Sequence, residues 1–114
     1  TMESQVQLNE DRSKLLDKFK GIFSELMVHE SAKWDVVYRD GAMSTKTKRL
    51  IALGIALRAC CTNCILGQTM RALDAGATKE EILETISVNL AMSGTTGIAE
   101  SLRVIKLLDE LSKL

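Results

Sequence analysis

Apolar residues recur along this chain at helical spacing. Leu15, Phe19, Ile22 and Leu26 fall at i, i+4, i+7 and i+11, with Leu16, Phe23 and Met27 beside them. The pattern predicts a first amphipathic helix from about Leu8 to Val28 whose broad apolar stripe needs a partner. Ser31 is a plausible N-cap for a short second helix that runs to Tyr38 and ends near Asp40-Gly41. Ser44 or Thr45 then opens a third helix, in which Leu50–Leu57 is apolar on all sides. Such a segment is expected to be covered all round, as the central helix or as part of a subunit interface. Ala59–Cys64 predicts a tight break and a new helix to Ala75, stopped by Gly76 in the left-handed conformation. Thr78 with Glu81 three residues later forms a capping box, and Ile82, Leu83, Ile86 and Leu90 carry that helix inward. Ser93–Gly97 breaks the pattern again before a last helix bearing Ile98, Leu102, Ile105 and Leu108 or Leu111. With no strand-like alternation and no internal repeat, the expected fold is an all-α bundle of about six helices.

Composition narrows the function more than the fold. The 114 residues contain 15 Lys+Arg against 15 Asp+Glu, so one neutral domain spanning 1–114 is expected, without the basic excess that recruits nucleic acid or an acidic membrane. Proline is absent, and nothing therefore interrupts long helices. The start of the chain, through Lys14, is polar, and the longest apolar run, Leu50–Leu57, is too short to span a bilayer. A soluble, cytoplasmic protein is the expectation. Thr1, ahead of Met2, is taken as an addition and set aside.

Cys60, Cys61 and Cys64 lie within five residues of one another. That clustering is unlike the dispersed framework of a small secreted domain and points to redox chemistry or metal. Cys61-Thr-Asn-Cys64 is a C-x-x-C at a predicted helix start, where residues i and i+3 share a face and a small adjustment closes a disulfide. Free N–H groups and the positive end of the helix dipole favour the reactive thiolate there. Cys60 offers a second pairing with Cys64 at i, i+4. The plain alternative is that the thiols pack as small hydrophobes. A closed zinc site needs four ligands, and the one histidine, His29, is distant, so metal would require a site completed across a subunit interface. His29, placed near the end of the first helix, is read as a surface or capping residue, and no metal or cofactor is assigned.

From Thr45 to Leu111 the chain resembles the core of the alkylhydroperoxidase D (AhpD)-like and carboxymuconolactone decarboxylase family. The matching pieces are Leu50-Ile-Ala-Leu53 leading into Cys61-x-x-Cys64, Ala72-Leu-Asp-Ala-Gly-Ala-Thr78, Glu80-Glu-Ile-Leu-Glu84, and Met92-Ser-Gly94. The resemblance implies an all-helical AhpD-like fold that assembles as trimers or hexamers. It also implies catalytic roles for Cys61 and Cys64, which in redox-active members reduce a peroxide or disulfide, cycle through an intramolecular disulfide and are restored by a thiol or dithiol reductant.

Three departures bear on mechanism. Redox-active members commonly carry a glutamate twelve residues before the first cysteine, where this chain has Arg49. The histidine usual four residues after the second cysteine is Gln68, and the histidine some members carry inside the motif is Asn63. The proton relay is therefore missing, and Arg49, if it faces the site, would stabilise a thiolate by charge alone. The other fate for Arg49 is to turn to solvent or pair with a carboxylate. Gln68 could hydrogen-bond a sulfur or a bound oxygen but cannot shuttle a proton. Glu81 is accounted for by the capping box, Glu80 and Glu84 by a solvated face, and Met70, Met92 and Trp34 by packing. The leading expectation is a thiol-based oxidoreductase; the others are a carboxymuconolactone decarboxylase-like enzyme and a non-catalytic helical assembly module with vestigial cysteines.

Overall fold

Two of the strongest helix-end signals in the sequence set the frame of the molecule. In the computed structural model, which describes residues 2–114, Thr78 Oγ1 accepts from the Glu81 amide while the Glu81 carboxylate accepts from the Thr78 amide, a complete capping box. Gly76, at φ 92°, ends the preceding helix as expected. The reading of Thr1 lies outside the described residues.

Six α-helices follow one another among the described residues: α1 Gln5–Ile22, α2 Ser24–Tyr38, α3 Thr45–Arg58, α4 Thr62–Asp74, α5 Lys79–Ser93 and α6 Thr95–Glu110. Helices α3 to α6 pack around a core of Leu53, Leu57, Ile65, Ile82, Val104 and Leu108, all essentially inaccessible to solvent. The close approach of α5 and α6 depends on Gly97, where a Cβ would lie 3.0 Å from Asn89 Nδ2 and 3.3 Å from its carbonyl oxygen. Only Gly94, at φ 66°, interrupts the chain there, and Thr95–Gly97 already belong to α6.

The N-terminal half departs from the expected pattern. Instead of one helix over Leu8–Val28, the chain breaks at Phe23, whose ψ of 45° leaves the helical region, just after the helix-weakening Gly21. Ser31 is consequently interior to α2 and caps nothing, and His29 is an exposed mid-helix residue rather than a C-terminal cap. Helix α1 packs on α6 and α4, while α2 packs on α1 and α3. This elbow explains a radius of gyration of 14.4 Å, above the roughly 13 Å of a compact chain of similar length. The apolar stripe predicted for the first helix is left largely exposed at Leu15, Ile22 and Leu26.

Helix α3 is central, touching α2, α4, α5 and α6. It is covered on one side only: Leu53, Ala56 and Leu57 are buried, whereas Ile51 and Ile55 face solvent beside Val88 and Met92 of α5. Met92, expected to pack, is 81% exposed. No helix among the described residues is long and apolar enough to cross a membrane.

Candidate active site

Helix α3 ends in a Schellman motif that delivers the cysteines. The Cys60 amide donates to Leu57 O and the Cys61 amide to Ala56 O, each at 3.2 Å, which turns the chain so that α4 can start at Thr62. The left-handed position of this motif, usually glycine, is occupied by Cys60 at φ 55°. Its side chain is an exposed free thiol that donates to Arg58 O at 3.9 Å, and the i, i+4 pairing of Cys60 with Cys64 is not made. Cys61 is itself the N-cap of α4, its Sγ accepting the Cys64 amide at 3.3 Å. Cys61 and Cys64 are joined as a disulfide with Cα atoms 5.2 Å apart. A thiolate at Cys61 would be the better acceptor for that same amide, which favours its formation.

Cys64 lines an open cavity of about 680 Å³ to which α1, α2, α3 and α4 contribute residues. Leu8, Leu15, Leu16 and Phe19 form its α1 wall, Trp34 and Tyr38 its α2 wall, and Asn63 and Gln68 stand beside Cys64 on α4. Arg12, Arg49 and Arg71 enter it from three different helices. Arg49 neither turns to solvent nor meets a carboxylate: it donates to Gln68 Oε1 at 3.2 Å, with its guanidinium 3.5 Å from the centroid of the Tyr38 ring. Burial, followed by the charge of Arg71, lowers the Arg12 pKa from its ordinary value. Burial also lowers that of Arg49, with Tyr38 opposing the shift and Arg71 adding to it.

The sequence match falls on this scaffold. Residues 30–107 match the model of the carboxymuconolactone decarboxylase family. The chain belongs to that family. An uncharacterized protein in the cox locus of Paracoccus denitrificans is 38% identical over 76 residues, which are 67% of this chain and 68% of the relative. The apo crystal structure of a carboxymuconolactone decarboxylase family protein from Legionella pneumophila superposes with a TM-score of 0.88 at 29% identity, over 98% of this chain and 100% of that one. A family protein from Thermotoga maritima gives 0.73 at 29% identity, over 96% and 91%.

On this carboxymuconolactone decarboxylase family fold, Arg49, Asn63, Cys64 and Gln68 share one cavity. Among the described residues no set of three or more His, Cys, Asp or Glu side chains converges as metal ligands. Glu80 and Glu84 are exposed on α5, and Glu81 serves the capping box and pairs with Lys46 at 2.9 Å. Trp34, expected only to pack, is a cavity wall. Arg12, Tyr38 and Arg71 were not singled out by the sequence. Arg71 had a signal: Cys64, Gln68 and Arg71 stand at i, i+4 and i+7, one face of α4. Arg12 had none, because only the packing of α1 on α4 brings it there.

Proposed function

We propose that this chain is a thiol-based oxidoreductase that reduces organic hydroperoxides through Cys64 and Cys61. The observation that carries the reading is the disulfide-forming pair at the start of α4 with Cys64 opening onto the cavity. The Cys64 thiolate attacks the distal peroxide oxygen, forming an S–O bond as the O–O bond breaks, and the leaving alkoxide takes a proton from solvent to become the alcohol. The Cys61 thiolate then attacks the Cys64 sulfenic sulfur, forming the disulfide and expelling hydroxide, which is protonated to water. Two thiols and one hydroperoxide thus give one disulfide, one alcohol and one water. A dithiol reductant reverses the pairing by attacking exposed Cys64, with Cys61 leaving as a thiolate held at the helix N-terminus and the second thiol releasing Cys64. The same exchange would reduce a disulfide substrate.

Arg49 supplies the positive charge that favours the Cys64 thiolate, and Gln68, its Oε1 occupied by Arg49, keeps its amide N–H groups for a peroxide oxygen. The cavity lining holds no histidine, which counts against the decarboxylase reading. The description of the Thermotoga maritima relative as a candidate for an antioxidative response points the same way. Addition of one equivalent of cumene hydroperoxide to the reduced protein should consume two thiols, with peptide mapping giving the Cys61–Cys64 linkage. Thiols that survive, or a Cys60 linkage, would refute the reading.

The exposed α3–α5 face is proposed as the contact with further copies of this chain, because Ile51, Ile55, Val88 and Met92 form an apolar groove of about 730 Å³. Light scattering should give a trimer or hexamer, and a stable monomer at micromolar concentration would count against it.

A further inference from the structure

Three guanidinium groups line one cavity in a chain of zero net charge, and the side chains that hold two of them are neutral. Arg12 donates to Asn9 Oδ1 from Nε and Nη2 at 3.1 and 3.0 Å, and Arg49 donates to Gln68 Oε1 and stacks on Tyr38. Among the described residues no carboxylate lies within ion-pair distance of Arg12, Arg49 or Arg71. Asp11, the one acidic residue in the lining, accepts instead from Gln7 Nε2 at 3.0 Å. The backbone of α4 is shaped to admit the pair from α1 and α4: a Cβ at buried Gly67 would lie 3.1 Å from Arg71 Nη1 and 3.3 Å from Arg12 Cζ. Burial and mutual repulsion both disfavour these charges, as the lowered pKa of Arg12 records. Neutral partners fix the orientation of a guanidinium without cancelling its charge, so the cavity keeps an uncompensated positive centre. Leu15, Phe19 and Trp34 give the same cavity apolar walls.

We infer that Arg12, Arg49 and Arg71 form a receptor for the oxyanion head of an amphipathic substrate whose apolar body lies against Leu15, Phe19 and Trp34. That the reactive end is a hydroperoxide rests on the function proposed above; the acidic head rests on the cavity alone. A carboxylate and a phosphate monoester share the required chemistry, since each accepts the paired N–H groups of an arginine.

Trp34 is the only tryptophan in the chain and lines the cavity, so its fluorescence reports occupancy without any turnover. Decanoate, decyl phosphate and decanol, titrated into the full chain at low salt, separate the head groups. Either acid is expected to bind at least about tenfold more tightly than decanol, a difference of about 1.4 kcal/mol, and the more tightly bound acid names the head. The margin should shrink in 0.5 M salt and in Arg71→Gln and Arg12→Gln. Equal affinities for all three, or no binding of either acid by calorimetry, would overturn the inference. The wild-type comparison decides the matter even if a variant loses its helical circular dichroism. Because no peroxide is present, this result is independent of whether Cys64 reduces one.

Discussion

Arg49 Nη1 donates to Gln68 Oε1 at 3.2 Å across the α3–α4 contact. These are the two positions at which redox-active chains of this resemblance carry glutamate and histidine. The geometry of a side-chain pair is therefore present, while its protonation chemistry is gone: a guanidinium only donates, and an amide does not titrate near neutrality. What the exchange provides is positive charge in the cavity that Cys64 lines, where a carboxylate would be negative.

Arg49→Glu should accordingly raise the thiol pKa of Cys64, because it replaces a charge that favours the thiolate by one that opposes it. The rise is read by the pH dependence of iodoacetamide alkylation with mass spectrometry. Peroxide reduction near pH 7 should slow about tenfold as the thiolate fraction falls. An unchanged thiol pKa would mean that the Arg49 charge is not felt at the sulfur, and the electrostatic account of activation would be lost.

Adding Gln68→His to Arg49→Glu should restore more activity than the two single changes predict together. The direct contact makes the pair a unit, and coupling between touching residues runs to roughly 0.5–3 kcal/mol. Second-order rate constants for the wild type, both single variants and the double variant measure it. Additive effects would show that the contact has no part in proton transfer.

Helix ends made by local chemistry were legible. Thr78 with Glu81 and the stop at Gly76 are written within a few residues, and both are present. Periodicity also located the apolar face of the first helix, but it cannot say what covers that face, and Leu15 and Ile22 remain exposed. Nor could it find the break at Phe23, since the apolar pattern runs unbroken through Ile22, Phe23 and Leu26 while the backbone leaves the helix. Cys61 and Cys64 could be singled out because their relation is three residues of helix. Arg12 joins the cavity only through tertiary packing, which no local pattern records.

Cys60 occupies the left-handed position of the α3 Schellman motif with its side chain exposed. A side chain in that conformation costs roughly 1 kcal/mol relative to glycine, so Cys60→Gly should stabilise the protein by about that amount. Urea unfolding under reducing conditions measures the change. Oxidation should still join Cys61 to Cys64; loss of that linkage would mean that Cys60 takes part in the thiol chemistry.

The last expectation concerns how α1 is held over the cavity. Glu110, at the end of α6, accepts from Ser4 Oγ at 2.5 Å and from the Gln5 amide at 2.6 Å, tying the first turn of α1 to the bundle. The Ser4 hydrogen bond does most to hold its carboxyl below the ordinary carboxylate range; desolvation opposes it, and the Gln5 and Val6 amides and the Lys106 charge add to the lowering. A carboxyl with a lowered folded pKa contributes stability that is complete above its unfolded value, about 4.3, and is lost as pH falls through the folded value. Asp40 and Glu81 are shifted in the same direction, Asp40 by hydrogen bonds from Thr45 and Glu81 by those from Lys46 and the Thr78 amide, so global stability alone would not isolate the Glu110 effect. Hydrogen exchange does: between about pH 5 and 3, protection in the first turns of α1 should fall ahead of protection in α3. In Glu110→Gln, which cannot ionise, the α1 protection should already be reduced at pH 7 and should lose most of its acid dependence. Equal acid sensitivity of α1 in the two proteins would show that another group anchors this helix.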